Sequence, residues 1–586
     1  MRHLLDALRS LRREFGPRAE RAKRARIAAA VRRVRAGRAS AADLRAFHDE
    51  LLFLSAYAES AAAARAANAA LPIVGGAIAA LSGAAREALA DSGIAGTRLT
   101  TSFSLDLLAW LTARRGGRVA LVWEDGTAGA ALDEMLRLLV SSAEADGLLS
   151  ERCTTQDWLR RANGAPARSE VDWLRERFAA LPCPAALRDR LFESLDLRVA
   201  WSLPARGPSR TFTRFPPRPR FVHRDGLRRE VRPAELLVTP LPRPQRLTRA
   251  GARRLIDVAR ETLAVRLRET DPVTYANPRE VTLFCLERGV DVLLLGMQPE
   301  RRLPIESFFG YVAAKNRVPI AYGGGWVFFE RCEIGINLFD EFRGGESAYV
   351  FSQVLRVYQQ HYRARLFTVD PFQFGADNQE AIASGAFWFY YRLGFRPREP
   401  ALRTLADREA ARIAARRDHR TRPALLRRLA GGHLELSIEG PRDTGGARSA
   451  TSLRAAGAHR AGQQRGVEPP LELTDVGLTV TDWIARVHRG DREAAERAAL
   501  SLAERALHLP PRGRRPDIEL AWLRKLAPLA ALLPDLPRWS DAARAALGAA
   551  LLAKGGLRER DYALRLQDHA RFRSELAQTV ARRTRG

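Results

Sequence analysis

The sequence predicts an α+β protein, with a mixed-sheet domain in the middle of the chain and mainly helical regions on either side. Three observations carry this. Apolar residues recur at helical spacing before about residue 200 and after about 471, whereas short alternating runs take over between 232 and 400. Pro and Arg crowd 204–220, as a linker would. The stretch 440–470 is rich in Gly, Ala, Arg and Ser with almost no large apolar residues. The 586 residues accommodate roughly three or four domains. The expected divisions are a helical region 1–203, a linker with a hairpin at 204–231, the sheet domain at 232–400, a helical extension at 401–435, a flexible linker at 436–470 and a helical domain at 471–586.

The first 38 residues carry thirteen basic residues against Asp6, Glu14 and Glu20. Leu4, Leu8, Leu11 and Phe15 share one face at helical spacing, which predicts a basic amphipathic helix. It serves either as a surface anchor or, more simply, as a helix whose apolar stripe docks on the next domain. The run 69–85 is mostly Ala and Gly with Pro72 and Ser82, too weakly hydrophobic for a membrane span, so a packed helical hairpin is expected. From 40 to 200 the pattern is helical, with one short strand at 119–123.

Net charge is +29 with a pI near 11.1. Lysine occurs only at Lys23, Lys315, Lys525 and Lys554, so the charge is nearly all Arg; with abundant Ala, Gly and Pro this is a composition of GC-rich coding type. An Arg-rich surface still suits contact with polyanions. Cys153, Cys183, Cys285 and Cys332 stand far apart, without zinc-ligand spacing or a disulfide framework. No signal-peptide core follows the basic N-terminus, and a reduced, cytoplasmic protein without a transmembrane segment is expected.

Within 204–231, His223-Arg224-Asp225-Gly226-Leu227 reads as a hairpin turn, since Asp-Gly supplies positive φ. A strand is then expected at 235–241 and a helix at 247–269. Strands follow at 307–313, 318–329 and 332–339, a helix at 347–362, a strand at 366–370 and a helix at 378–393. In 332–339 the alternation is clean: Ile334, Ile336 and Leu338 face one way, Glu333, Gly335, Asn337 and Phe339 the other. Gly335 inside a strand implies close approach to the backbone. Gly323-Gly324-Gly325 lacks any nucleotide-loop context and marks a bulge or ligand approach. His361 reads as a helix-cap or surface residue. After 332–339 comes Asp340-Glu341-Phe342-Arg343-Gly344-Gly345-Glu346-Ser347-Ala348, then a helix. Strand, glycine turn and helix N-terminus in succession make an anion cradle.

This succession resembles the GNAT-type N-acyltransferase superfamily over residues 232–400. Arg343 and Ala348 match the ends of the family's Arg/Gln-x-x-Gly-x-Gly/Ala loop, which holds the acyl-CoA pyrophosphate; Glu346 stands where that loop has its middle glycine. Phe389-Tyr390-Tyr391-Arg392-Leu393-Gly394-Phe395 resembles the Phe-Tyr-x-x-Leu-Gly-Phe signature closing the last family helix. Asn378 resembles the asparagine before that helix, about one helical turn further from Tyr390 than usual.

The resemblance implies acetyl-CoA or another acyl-CoA as donor, with no metal. Asn337, Leu338 and Phe339 would bind pantetheine, and Arg343, Gly344, Gly345, Ser347, Ala348 and Asn378 would hold the cofactor's other parts. It implies acyl transfer to a small-molecule or peptide amine by direct attack, needing a base and an acid. Glu333 is the candidate base, or else a strand-end partner of an Arg. Tyr390 is the candidate acid, or else a core aromatic beside Phe387, Trp388 and Phe389. Two other readings stand beside this one: a catalytically degenerate GNAT-fold interaction protein, and a transferase whose donor is aminoacyl-tRNA.

Overall fold

The computed structural model describes residues 1–114, 118–123, 127–148, 152–164, 169–416, 418–438, 471–511, 513 and 516–585. The chain is an α+β protein with its chemistry-bearing motifs on one large sheet. That sheet contains β4 (Ala276–Cys285), β5 (Val290–Met297), β6 (Ser307–Lys315), β7 (Val318–Phe328), β8 (Arg331–Ile334), β9 (Asn337–Leu338), β10 (Leu366–Val369), β11 (Arg396–Pro397) and β12 (Leu434–Ser437). The strand order is β11-β12-β10-β8-β7-β6-β5-β4, with β9 on β7. From β4 to β9 the strands form an antiparallel meander. The helix Ser347–Tyr362 then carries the chain across to β10, which runs parallel to β8.

β8 and β9 share one register against β7, so the expected strand 332–339 exists but is interrupted at Gly335–Ile336. β4, β5 and β12 lie outside the strands read from sequence. β5 is buried along its whole length, which removes the alternation that would reveal it. Residues 235–241 do not form a strand. Pro233 opens a short helix, Pro233–Leu237, where its missing N–H costs nothing and Glu235 suits the helix dipole.

The segment 204–231 is neither a free linker nor a β-hairpin. It straps the sheet through individual backbone bonds: Phe215 N donates to Arg317 O (2.8 Å), Phe221 N to Asn316 Oδ1 (2.8 Å) and His223 N to Ala58 O (3.0 Å). Its prolines prevent a ladder, so each polar group finds its own partner.

The N-terminal region is not one domain. Helices Arg2–Leu11, Pro17–Arg35, Ala41–Ala56 and Ala61–Ala79 join the core of the large sheet. Leu5 and Leu8 are buried there and Leu4 packs partly against it, so the first helix docks on the core; of the expected stripe, Leu11 is only half-buried and Phe15 lies beyond the helix. Ala61–Ala79 is the one described helix long and apolar enough to cross a membrane; 44% of its most apolar window is buried inside the protein. By contrast β1 (Arg98–Ser102), β2 (Arg118–Leu121) and β3 (Arg198–Ser202) make a separate three-stranded sheet, order β1-β3-β2, whose core includes Trp158, Phe178 and Trp201. Six helices from Leu473–His488 to Ala570–Arg585 form a C-terminal bundle that receives Phe328 and Phe329 from the end of β7. The expected linker 436–470 falls almost wholly outside the described residues.

Candidate active site at the opening of the central sheet

β8 and β10 pair only from Arg331/Leu366 to Glu333/Thr368. Beyond that point β9 stays with β7, while the chain after β10 turns away through Pro371–Phe374. The β8–β10 pairing therefore ends beside the Gly335–Ile336 peptide, where two tyrosine hydroxyls lie close by. Tyr311 Oη donates to Gly335 O at 2.7 Å, and the Tyr390 hydroxyl lies near the Ile336 N–H. Both rings are buried, and burial pushes both hydroxyls above the ordinary tyrosine pKa, so they stay protonated.

Local sequence explains how Tyr390 is held. The helix Ala386–Arg392 ends in a Schellman turn: Gly394 N donates to Tyr391 O (3.0 Å) and Phe395 N to Tyr390 O (3.2 Å), with Gly394 at φ 98°. Phe395 packs edge-on against Tyr390, and Phe351 of the crossover helix does the same from another side.

The glycine run in β7 contains no bulge. A Cβ on Gly323 would stand 2.6 Å from Tyr311 Oη, one on Gly324 2.3 Å from Phe308, and one on Gly325 2.3 Å from Tyr358. Three rings thus occupy the room that side chains would take. The close approach expected at Gly335 is made by the chain itself, through the Gln373 side chain 2.9 Å from a Cβ there.

The loop after β9 sits under the N-terminal helices. Gly344 has φ 81°, and Arg13 Nη2 lies 2.0 Å from where its Cβ would be; Gly345 is covered by the Tyr57 ring, 2.6 Å away on the same measure. Arg12 donates to Arg343 O. The Arg13 guanidinium is pushed below its ordinary value by partial burial and then by Arg229 and Arg12, a mark of crowded positive charge. Arg343 is exposed and pairs with Asp340 at 2.9 Å and with Glu380. Ser347 and Ala348, half-buried, begin the helix, whose first-turn N–H groups have no intrahelical acceptor.

Glu346 does not face this loop's mouth. Its carboxylate turns inward to Lys315, Arg288 and the N–H of Arg228 (2.7 Å), with His223 at 3.7 Å. Its own N–H donates to Tyr57 Oη at 3.3 Å. Burial lowers Lys315 to about 8, and burial with Lys315 lowers His223 to about 3, so this imidazole is neutral.

On the sheet face away from the crossover helix, cross-strand pairing lines up Phe308, Trp326, Glu333 and Thr368 in one row. Phe308 and Trp326 stack at 4.1 Å and 9°. The Glu333 carboxyl is raised by burial and then by Asp370. Thr368 Oγ1 beside it is buried with no hydrogen-bond partner. Glu333 and Tyr390 therefore flank the opened strand, the first from this face and the second from the side of the crossover helix. Asn337 is exposed, Leu338 half-buried, and Phe339 buried beneath the Arg266 guanidinium at 3.9 Å. Asn378 caps the helix Gln379–Ser384 through Ala381 N and donates to Phe372 O. His361 is no cap: it packs against Phe284 and Tyr362.

Sequence reasoning missed Tyr311, Gln373, Trp326, Arg12, Arg13 and Tyr57. Tyr311 alone left a signal, because a hairpin closed near 316 sets it opposite Gly323. Among the described residues no group of His, Cys, Asp and Glu side chains is arranged to hold a metal. A groove of about 560 Å³ between Pro17–Arg35 and Ala61–Ala79 contains none of the residues above. Comparison with protein-family models, curated proteins and solved structures finds no match to this chain.

Proposed function

We propose that the chain is an N-acyltransferase of the GNAT type, moving an acyl group from acyl-CoA to an amine. The observation that supports this above all is the parting of parallel strands β8 and β10 with the Tyr390 hydroxyl in the opening. Splayed strands at that place are where the motif resemblance expects pantetheine to enter.

The residues present fit the cofactor. Arg13, Arg343 and the N–H groups at the start of Ser347–Tyr362 would hold its diphosphate. The carboxylate of Glu346 is directed inward and matched by Lys315 and Arg288, so it does not repel an anion at the loop. Acyl-CoA, when bound, supplies a thioester carbon open to attack. Glu333, its carboxyl raised by burial and then by Asp370, would take a proton from the acceptor ammonium, directly or through water. The amine would then displace the thiolate from the thioester carbon, with the Tyr390 O–H placed to protonate the departing thiolate and to be restored by the second proton that leaves the amine nitrogen.

A second reading, a catalytically degenerate interaction protein of this fold, is favoured by one specific feature: Gln373, Arg13 and Tyr57 themselves lie over Gly335, Gly344 and Gly345.

The test is the melting temperature of the full chain with and without millimolar acetyl-CoA and CoA. The N-terminal helices share the sheet's core, so a fragment without them is unsuitable. Ligand at a hundred times its Kd stabilises by roughly 2.7 kcal/mol, a readily measured shift. A shift abolished in Arg343→Glu and Arg13→Glu supports the transferase. No shift in the folded parent rejects it and leaves the interaction protein.

A further inference from the structure

Below the strap, arginines gather with too few acids. Arg214 and Arg220 come from the strap, Arg317 from the β6–β7 turn, and Arg266 from just beyond the helix Arg249–Ala264; all four are half-buried. Arg214 Nη1 donates to the carbonyls of Arg210 (3.2 Å) and Thr213 (2.8 Å), Arg317 Nε to Phe215 O (3.0 Å), and Arg220 Nη1 to Ser55 O (3.5 Å). The nearby carboxylates are already engaged. Asp49 binds Arg210 at 2.6 Å, and Glu341 binds Arg210 at 3.2 Å and Arg266 at 2.9 Å. Asp291 also faces Arg317 but is paired with Arg218 from the strap, so six guanidinium groups share three carboxylates.

Each guanidinium has five N–H donors in a planar fork. Among the described residues, both terminal nitrogens of Arg317 and the Nη2 groups of Arg214 and Arg220 have no acceptor. Arg317 is presented by a two-residue hairpin turn between Lys315 and Val318, with Asn316 and Arg317 at the positive φ, 49° and 73°, that such a turn uses. Asn316 is held there by Ala56 O (2.8 Å), Phe221 O (2.9 Å) and Phe221 N (2.8 Å). Unmatched positive charge in partly dry surroundings is costly. Burial, and then Arg266, Arg317 and Arg220, press Arg214 down to about 9.

We infer that Arg214, Arg220, Arg266 and Arg317 form a binding site for a phosphate-bearing small molecule, a phosphomonoester or a diphosphate. A phosphate group offers several acceptor oxygens and more than one negative charge, which suits several converging forks with excess positive charge better than a single carboxylate does. Arg266, stacked on Phe339, places the site beside the loop that follows β9. It does not depend on acyl transfer.

Isothermal titration of the full chain at low ionic strength tests it, with sodium pyrophosphate and inorganic phosphate as separate probes and sodium sulfate as a control for general anion binding. The parent should bind pyrophosphate or phosphate in preference to sulfate, and Arg214→Gln and Arg317→Gln should each weaken binding by about tenfold or more. Without phosphate both variants should melt no lower than the parent, because an unmatched charge has been removed. That melt also verifies folding, and Arg220→Gln replaces any variant that fails it. Absence of binding by the parent, no preference over sulfate, or equal affinity in the folded variants would overturn the inference.

Discussion

Glu346 and Lys315 meet as an ion pair in which neither side chain is exposed to solvent. The pair joins the start of the crossover helix to the end of β6, and Arg288 adds a second cation. Two charges leave water at considerable cost, and here their mutual attraction offsets it. Removing one partner strands the other. Glu346→Ala should therefore destabilise by about 3–5 kcal/mol, and Lys315→Met in the same chain should recover a substantial part. Urea denaturation of the two single variants and the double variant measures this.

Tyr311 bonds the carbonyl of the Gly335–Ile336 peptide, the Tyr390 hydroxyl lies near its N–H, and the two residues separate chemistry from scaffold. Tyr390→Phe should lower kcat by about 100-fold or more if its hydroxyl protonates the thiolate. Tyr311→Phe should leave the buried Gly335 carbonyl without its donor, costing about 1–3 kcal/mol of stability, with a much smaller change in kcat. Kinetics and melting of both variants decide the matter; equal kcat losses would assign both tyrosines to support alone.

Glu280 carries a pH dependence of known sign. It sits between β4 and the C-terminal helix Glu559–Asp568, with Arg302 at 3.6 Å. Burial, then Glu559, raises it to about 7. The folded state thus holds this proton at pH values where the unfolded chain has released it. The stabilisation is complete below the ordinary Glu value and is lost as pH rises through about 7. At roughly 1.4 kcal/mol per pH unit, a rise from the ordinary value to about 7 is on the order of 3–4 kcal/mol. Glu280→Gln should match the parent near pH 4 and melt higher at pH 8, as melting curves across that range would show.

The glycines of β7 predict a graded steric response. Gly325→Ala puts a methyl against Tyr358, 2.3 Å from its ring, and against Cys332 Sγ at 2.9 Å, both buried. Overpacking of this kind costs about 1–3 kcal/mol. Gly344→Ala meets only the end of the exposed Arg13 side chain, which can swing away; the positive φ is left as its main cost, about 1 kcal/mol. Melting temperatures should fall further for the first.

What was legible in the sequence was local. Leu393-Gly394-Phe395 could be read because a Schellman turn involves only neighbouring residues. The alternation of 332–339 could be read because one face of that strand keeps polar side chains. β5 could not, since burial on both faces erases period two, and its inward Asp291 is matched by Arg218 from the strap. The inward ion pair of Glu346 could not be read for a related reason. Its partner Lys315 is 31 residues away and Tyr57 is 289, and nothing near Glu346 in the chain announces either. Pro/Arg composition at 204–220 told correctly of irregular backbone, but irregular backbone can also be tightly bound.

The sharing of one core by the first helices and the central sheet has a consequence for synthesis on the ribosome. Asn316 bonds to Ala56 O across 260 residues, and Arg12 to Arg343 O across 331. At roughly 5–20 residues per second, the helix Ala41–Ala56 emerges about 13 to 50 seconds before the turn that receives it. Through that interval the early helices can pack on one another, but the faces that meet the central sheet have nothing to cover them. These helices are natural clients for holding chaperones, and native assembly of the N-terminus waits for translation to pass the middle of the message.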